Sequence, residues 1–250
     1  MSRATIYGIG LGPGDPDLMS VKADRLVRRI KNVAFFRKAG RKGHARTIVE
    51  GLLPMGAIEL PMEYPVTTEI SVTDPQYNAL LSQFYEDCTS KIASLSEQGH
   101  EVAILCEGDP FFYGSFMHLY TRLKDTHPVA VIPAITGMSG AWTASGAPIT
   151  WGDDVLTVLL GTLSLDELQK RMANSDALVI MKIGRNIEKI RQALKASDLY
   201  QKAWLVEFAT MPQQTVYKLS ECEGRITPYF SIIVVHGQAV SYTHLRAHET

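Results

Sequence analysis

Cysteine is scarce in this sequence and neither charge is in excess. Cys88, Cys106 and Cys222 are the only three in 250 residues, they lie far apart, and none belongs to a Cys-x-x-Cys pair. A disulfide framework or a structural zinc site is therefore not expected. Lys and Arg number 25 against 26 Asp and Glu, a net charge of −1, so no global basic excess points to nucleic acid or an anionic membrane. No run approaches the roughly 18 apolar residues of a membrane span. The opening Met-Ser-Arg-Ala-Thr-Ile-Tyr lacks the apolar centre of a secretory signal, and a cytoplasmic protein is expected. Familiar motifs are missing too. In a Gly-x-Gly-x-x-Gly frame starting at Gly8 the third glycine falls on Pro13, and no Gly-x-x-x-x-Gly-Lys-[Ser/Thr] occurs, which argues against dinucleotide and P-loop sites. His244 and His248 are four apart without the His-Glu-x-x-His order or a third ligand, so no metal is expected.

The chain does hold enough apolar side chains, 46%, for one large or two modest cores. Residues 102–106 form an apolar run that reads as a buried strand, stopped by Glu107-Gly-Asp-Pro110. Phe112, Phe116, Leu119 and Leu123 then predict a helix over 111–123. Near the start the pattern repeats: a strand over 5–9, the glycine-dense Gly8-Ile-Gly-Leu-Gly-Pro-Gly-Asp-Pro16, and a helix with Asp15 as cap and Leu18, Val21, Leu26 and Ile30 as its stripe. Strand-to-helix turns of this kind are where open α/β sheets hold ligands. On residues alone, the glycines either make a tight turn or bring backbone close to a ligand.

A second strand is expected over 33–36. It is followed by Arg37, Lys38, Arg41, Lys42 and Arg46 with His44 among them, which reads either as a solvated loop or as a site for carboxylates or phosphates. Further expectations are a strand over 58–60, a surface loop over 61–75 and a long helix over 76–98 closed by Gly99. A boundary is expected at Asp125-Thr-His-Pro128. Beyond it, strands are expected over 129–132, 155–160, 177–183, 203–208, 215–219 and 229–235, and helices over 138–146, 165–172 and 186–194. The expected fold class is α/β, with two α/β domains, 1–125 and 126–238, and a ligand cleft between them. Residues 239–250 break the pattern and read as a non-native tail.

Gly8-Ile-Gly-Leu-Gly-Pro-Gly-Asp-Pro16, Glu107-Gly-Asp-Pro-Phe-Phe-Tyr113, Pro133-Ala-Ile-Thr-Gly137, Val179-Ile-Met-Lys182 and Pro228-Tyr-Phe-Ser-Ile-Ile-Val234 together resemble the tetrapyrrole (corrin/porphyrin) methyltransferase family. They occur in the family's order, over residues 5 to about 238. Within it, residues 106–116, 152–158 and 181–186 are most similar to the branch that methylates C-20 of precorrin-2 to give precorrin-3A. The resemblance implies S-adenosylmethionine as methyl donor and no metal, with the donor held between two α/β domains of a homodimer. It places Pro13, Gly108, Asp109, Phe112, Thr136, Gly137 and Met181 around that donor, completed by Phe208-Ala209 and Pro228-Tyr229. Because precorrin-2 is a polycarboxylate, Arg37, Lys38, Arg41, Lys42 and Tyr113 become candidates for binding it. Glu107 and Tyr113 flank the central loop as candidate proton acceptors, although Glu107 could equally cap backbone and Tyr113 stack. The family's Pro-Gly is Pro133-Ala134 here, which puts the freedom of that backbone in question. The alternatives are a methyltransferase of cobalt-precorrin-2 or uroporphyrinogen III, a relative of the diphthine synthases, or a tetrapyrrole- or nucleotide-binding module without chemistry.

Overall fold

The computed structural model describes residues 2–66 and 74–238. The expected tail and part of the expected surface loop lie outside the described residues. The chain divides into two compact units, Met1–Gly137 and Met138–Thr250.

The first unit alternates β1 (Ile6–Gly10), α1 (Val21–Arg29), β2 (Asn32–Lys38), α2 (His44–Ile48), β3 (Ile58–Tyr64), α3 (Pro75–Glu97), β4 (Val102–Cys106), α4 (Phe116–Leu123) and β5 (Val129–Ile132). Its strands are ordered β3-β2-β4-β1-β5, and every ladder is parallel. A parallel sheet covered on both faces needs apolar residues on both sides of its strands, which is why β4 is an unbroken apolar run. Ala103 and Leu105 pack with Ala23, Leu26 and Val27 of α1 and Ala45 of α2. Val102, Ile104 and Cys106 pack on the opposite face with Tyr85, Cys88 and Ile92 of α3 and Phe116 and Leu119 of α4.

Four expectations shift. Asp15 caps only a single 3-10 turn, Pro16–Leu18, because Ser20 offers a second cap whose side chain accepts from Ala23 N–H and starts α1; Val21 is exposed rather than part of a buried stripe. Residues 111–115 are turn rather than helix, and α4 begins at Phe116. β3 runs on through Pro61 to Tyr64, where a loop was expected; it is an edge strand, and an edge tolerates the missing proline N–H. The chain divides after Gly137 rather than at 125/126, because β5 pairs with β1 in the first sheet, from Ile6 opposite Val129 to Ile9 opposite Ile132.

In the second unit, α5 (Gly137–Ala144), whose first residue still belongs to the first unit, is followed by β6 (Leu156–Leu160), α6 (Leu165–Met172), β7 (Ala177–Met181), α7 (Ile187–Ala196), β8 (Ala203–Glu207), β9 (Thr215–Lys218) and β10 (Ser231–Val235). The sheet order is β6-β7-β10-β8-β9, parallel only between β6 and β7. Helices α6 and α7 cover one face through Leu168, Met172, Ile190 and Leu194, and α5 covers the other through Ala141 against Val179, Val206 and Val234. Among the described residues no helix is long and apolar enough to cross a membrane.

Candidate active site

In the first unit, β1 hands the chain to α1 on one face, whereas its neighbour β4 hands it to α4 on the other. The connections diverge at the carboxyl ends of β1 and β4, the topological switch point at which open α/β sheets bind ligands. Both glycine loops leave the sheet there and are tied together: Leu11 N–H donates to Cys106 C=O at 2.9 Å, and Gly108 N–H donates to Gly12 C=O at 2.8 Å. A Cβ on Gly10 would lie 2.6 Å from the Ala134 methyl carbon and 2.9 Å from both Gly108 O and Pro110 Cδ. The loops after β1, β4 and β5 thus close around a position with room for hydrogen alone.

Asp109 fixes the geometry from the side. Its Oδ1 accepts Phe111 N–H at 2.9 Å, and its Oδ2 accepts Ala134 N–H at 3.0 Å, lacing the loop after β4 to the loop after β5. Ala134 sits outside the left-handed region, so the alanine strains nothing; its N–H serves Asp109 and its methyl covers Gly10.

Gly108 has φ +65°, and a Cβ there would meet only Gly137 N, at 3.6 Å. Open space in front of a glycine, with Thr136 and Gly137 beside it, is what a ligand needing close backbone approach requires. The residues present therefore fit a bound S-adenosylmethionine. Pro13 is buried and Phe112 half-buried. Phe112 packs edge-on against the Tyr113 ring at 4.8 Å, and Tyr113 itself is in the left-handed region at φ +55°.

Glu107, just before this loop, is half-buried, and its Oε1 accepts Ala45 N–H of α2 at 3.0 Å. Burial pushes its carboxyl up to about 7, opposed by that hydrogen bond. The cationic stretch beyond β2 is largely paired within the chain: Arg37 with Glu63, Lys42 with Glu50, and Arg46 with Glu59. Arg37 and Lys38 belong to β2 itself, and Arg41 is exposed.

The second-unit candidates gather at one end of their own sheet. Met181 ends β7, its carbonyl accepting Gly161 N–H at 2.7 Å. Ala209 follows β8 and Pro228 precedes β10, with Phe208 N–H donating to Phe230 C=O at 2.8 Å and Ser231 Oγ to Pro228 C=O at 2.7 Å. Ala209 is flanked by Phe208 and Thr210 at φ +52° and +65°, and Met181 is followed by Lys182 at +53°. Glu207, buried at the end of β8, accepts from Arg225 Nε at 2.9 Å, Arg225 Nη2 at 2.7 Å and Thr215 Oγ1 at 3.1 Å. Reading the sequence missed this clamp and the strained non-glycine residues beside it. Pairing side chains from separate loops leaves no periodic trace, and left-handed Lys, Phe and Thr carry no residue-type signal.

The family model for the tetrapyrrole (corrin/porphyrin) methylases matches residues 5–223. A precorrin-2 C(20)-methyltransferase from Sinorhizobium sp is 47% identical over 93% of this chain and 95% of its own. A cobalt-precorrin-2 C(20)-methyltransferase from Salmonella typhimurium is 24% identical over 93% and 96%. Among solved structures, the uroporphyrin-III C-methyltransferase from Thermus thermophilus, complexed with S-adenosylhomocysteine, superposes with a TM-score of 0.65 at 20% identity, covering 93% of this chain and 92% of that one. The chain therefore belongs to the tetrapyrrole (corrin/porphyrin) methylase family.

Proposed function

We propose that this protein transfers the methyl group of S-adenosylmethionine to C-20 of metal-free precorrin-2, giving precorrin-3A in cobalamin biosynthesis. The observation that carries the substrate is the 47% identity with the Sinorhizobium precorrin-2 enzyme over 93% of the chain, against 24% with the Salmonella cobalt-precorrin-2 enzyme. The donor, when bound, supplies a methyl group already made electrophilic by its sulfonium. The reduced tetrapyrrole presents an electron-rich meso carbon, so the protein's task is alignment and exclusion of water rather than activation. In the first unit, Gly108 lets backbone approach the donor, Asp109 holds the loops after β4 and β5 in register, and Pro13, Phe112, Thr136 and Gly137 complete that side. Met181, Ala209 and Pro228 are assigned to the same donor, and Arg37, Lys38, Arg41, Lys42 and Tyr113 to the substrate. No residue is asked to hold a metal. The working form in this reading is a cytoplasmic homodimer, which sedimentation tests. Anaerobic assays with precorrin-2 and cobalt-precorrin-2 side by side test the substrate, with mass spectrometry counting the methyl groups and NMR placing them. Higher kcat/KM for the cobalt complex, or a methyl group elsewhere than C-20, would overturn the assignment.

A further inference from the structure

The short helix α2 sits at the end of the cationic stretch, and its first turn cannot be capped from within. Its N-cap is Gly43, which has no side chain to offer and sits at φ +87°. A Cβ there would lie 3.1 Å from Phe36 O, 3.2 Å from Arg37 Cβ and 3.3 Å from Phe35 Cδ2. Both the conformation and the crowding therefore exclude the Ser, Thr, Asp or Asn that ordinarily accepts a first-turn N–H. The missing acceptor comes instead from 62 residues away: Glu107 Oε1 takes Ala45 N–H at 3.0 Å. A carboxylate at a helix start also meets the positive end of the helix dipole.

The residue that supplies this cap is what gives it meaning. Glu107 is the residue immediately before Gly108, whose N–H is bonded to Gly12 C=O. Its backbone belongs to the loop that faces the methyl donor, and its side chain ends on the helix that carries Arg46 and follows Arg37, Arg41 and Lys42. Those cations are oriented by pairs with Glu63, Glu50 and Glu59, apart from Arg41. The stretch is thus fixed along its length by ion pairs and fixed to the donor loop by Glu107.

We infer that Glu107 is a positioning residue: it caps α2 from the donor loop and so sets where the cationic stretch stands relative to the methyl donor. The inference rests on the proposed assignment of that stretch to the carboxylates of precorrin-2. Glu107 acts on the substrate through α2. An amide oxygen can accept the same N–H, so Glu107→Gln keeps the cap and Glu107→Ala removes it.

The test compares the full-length protein with both variants. Hydrogen exchange over residues 44–48 should quicken in Glu107→Ala and stay at the wild-type rate in Glu107→Gln. In assays with precorrin-2, Glu107→Ala should raise KM about tenfold, with kcat and the Kd for S-adenosylmethionine within about twofold of wild type. Glu107→Gln should restore KM to within about threefold. An alanine variant with quickened exchange but unchanged KM would overturn the inference. So would a glutamine variant as impaired as the alanine one, which would point to the charge or the proton of the carboxyl. The exchange measurement needs no substrate: unchanged exchange in Glu107→Ala overturns the cap even if the wild-type protein fails to methylate precorrin-2, a failure that would count against the proposed function instead.

Discussion

The strand-exit loops of the two units are held in place by opposite means. In the first unit the turns pivot mainly on glycine, with Tyr113 the left-handed exception, and their carboxylates bind backbone: Asp109 takes the N–H groups of Phe111 and Ala134, and Glu107 takes that of Ala45. In the second unit, Lys182, Phe208 and Thr210 accept left-handed backbone without being glycine, and Glu207 is gripped by the Arg225 guanidinium. Backbone partners and glycine leave the space in front of the loop open. Side-chain clamps fill space but can hold a strained turn against relaxation. The difference separates a surface kept bare from one kept rigid.

Substituting the pivot is the severest way to break that contrast. Gly108→Val adds a branched side chain at φ +65° where a Cβ meets only Gly137 N at 3.6 Å. The fold should survive at a cost of about 1–2 kcal/mol for the strain, while calorimetry should detect no binding of S-adenosylmethionine. Removing the clamp comes next. Arg225→Met leaves the buried Glu207 carboxylate with Thr215 as its remaining side-chain donor, and urea denaturation should show a loss of about 1–3 kcal/mol, since a buried acceptor is left short of partners.

Glu107 should also make stability depend on pH. Burial raises the Glu107 carboxyl in the folded protein to about 7 from 4.5, so the folded state holds the proton that the unfolded chain releases. The stability this contributes is fully present below about 4.5 and is lost as pH rises through about 7. Glu107→Gln lacks the titration, so its stability relative to wild type should rise between pH 5 and pH 8 in parallel denaturation curves. The smallest effect is expected from relaxing the strained side: Thr210→Gly removes a β-branched residue from φ +65° and should add about 0.5–1 kcal/mol by thermal denaturation, with the donor Kd weakened if rigidity there matters.

Elements whose signals are local were legible in the sequence. Helix α6 matches the expected 165–172 residue for residue, and its ends are marked locally: Ser164 caps it, acidic residues open it and basic residues close it. Strand β4 was likewise plain from its apolar run. Residues 111–115 were misread because Phe112 and Phe116 fall at helical spacing even though the Asp109 side chain has already bent the chain into a turn. The division of the chain was misplaced because β5 is claimed by β1, a pairing across more than a hundred residues that no local composition shift reports. At the site, the glycine loops and their cationic neighbour stood out by residue type. The cap on α2 was legible by half: Glu107 could be read as capping backbone, but nothing local named a partner 62 residues away.

The crowding around Gly10 couples two positions far apart in the sequence. The Ala134 methyl carbon occupies the space that a Cβ on residue 10 would need, at 2.6 Å. The two positions share one methyl group's worth of room, so substitutions at them should be coupled: the alanine at 134 requires glycine at 10. Gly108 O and Pro110 Cδ, each 2.9 Å from the same point, would still crowd a Cβ on residue 10 if residue 134 were glycine. Residue 10 is therefore held to glycine from three sides, and the Ala134 methyl is accommodated only because it is.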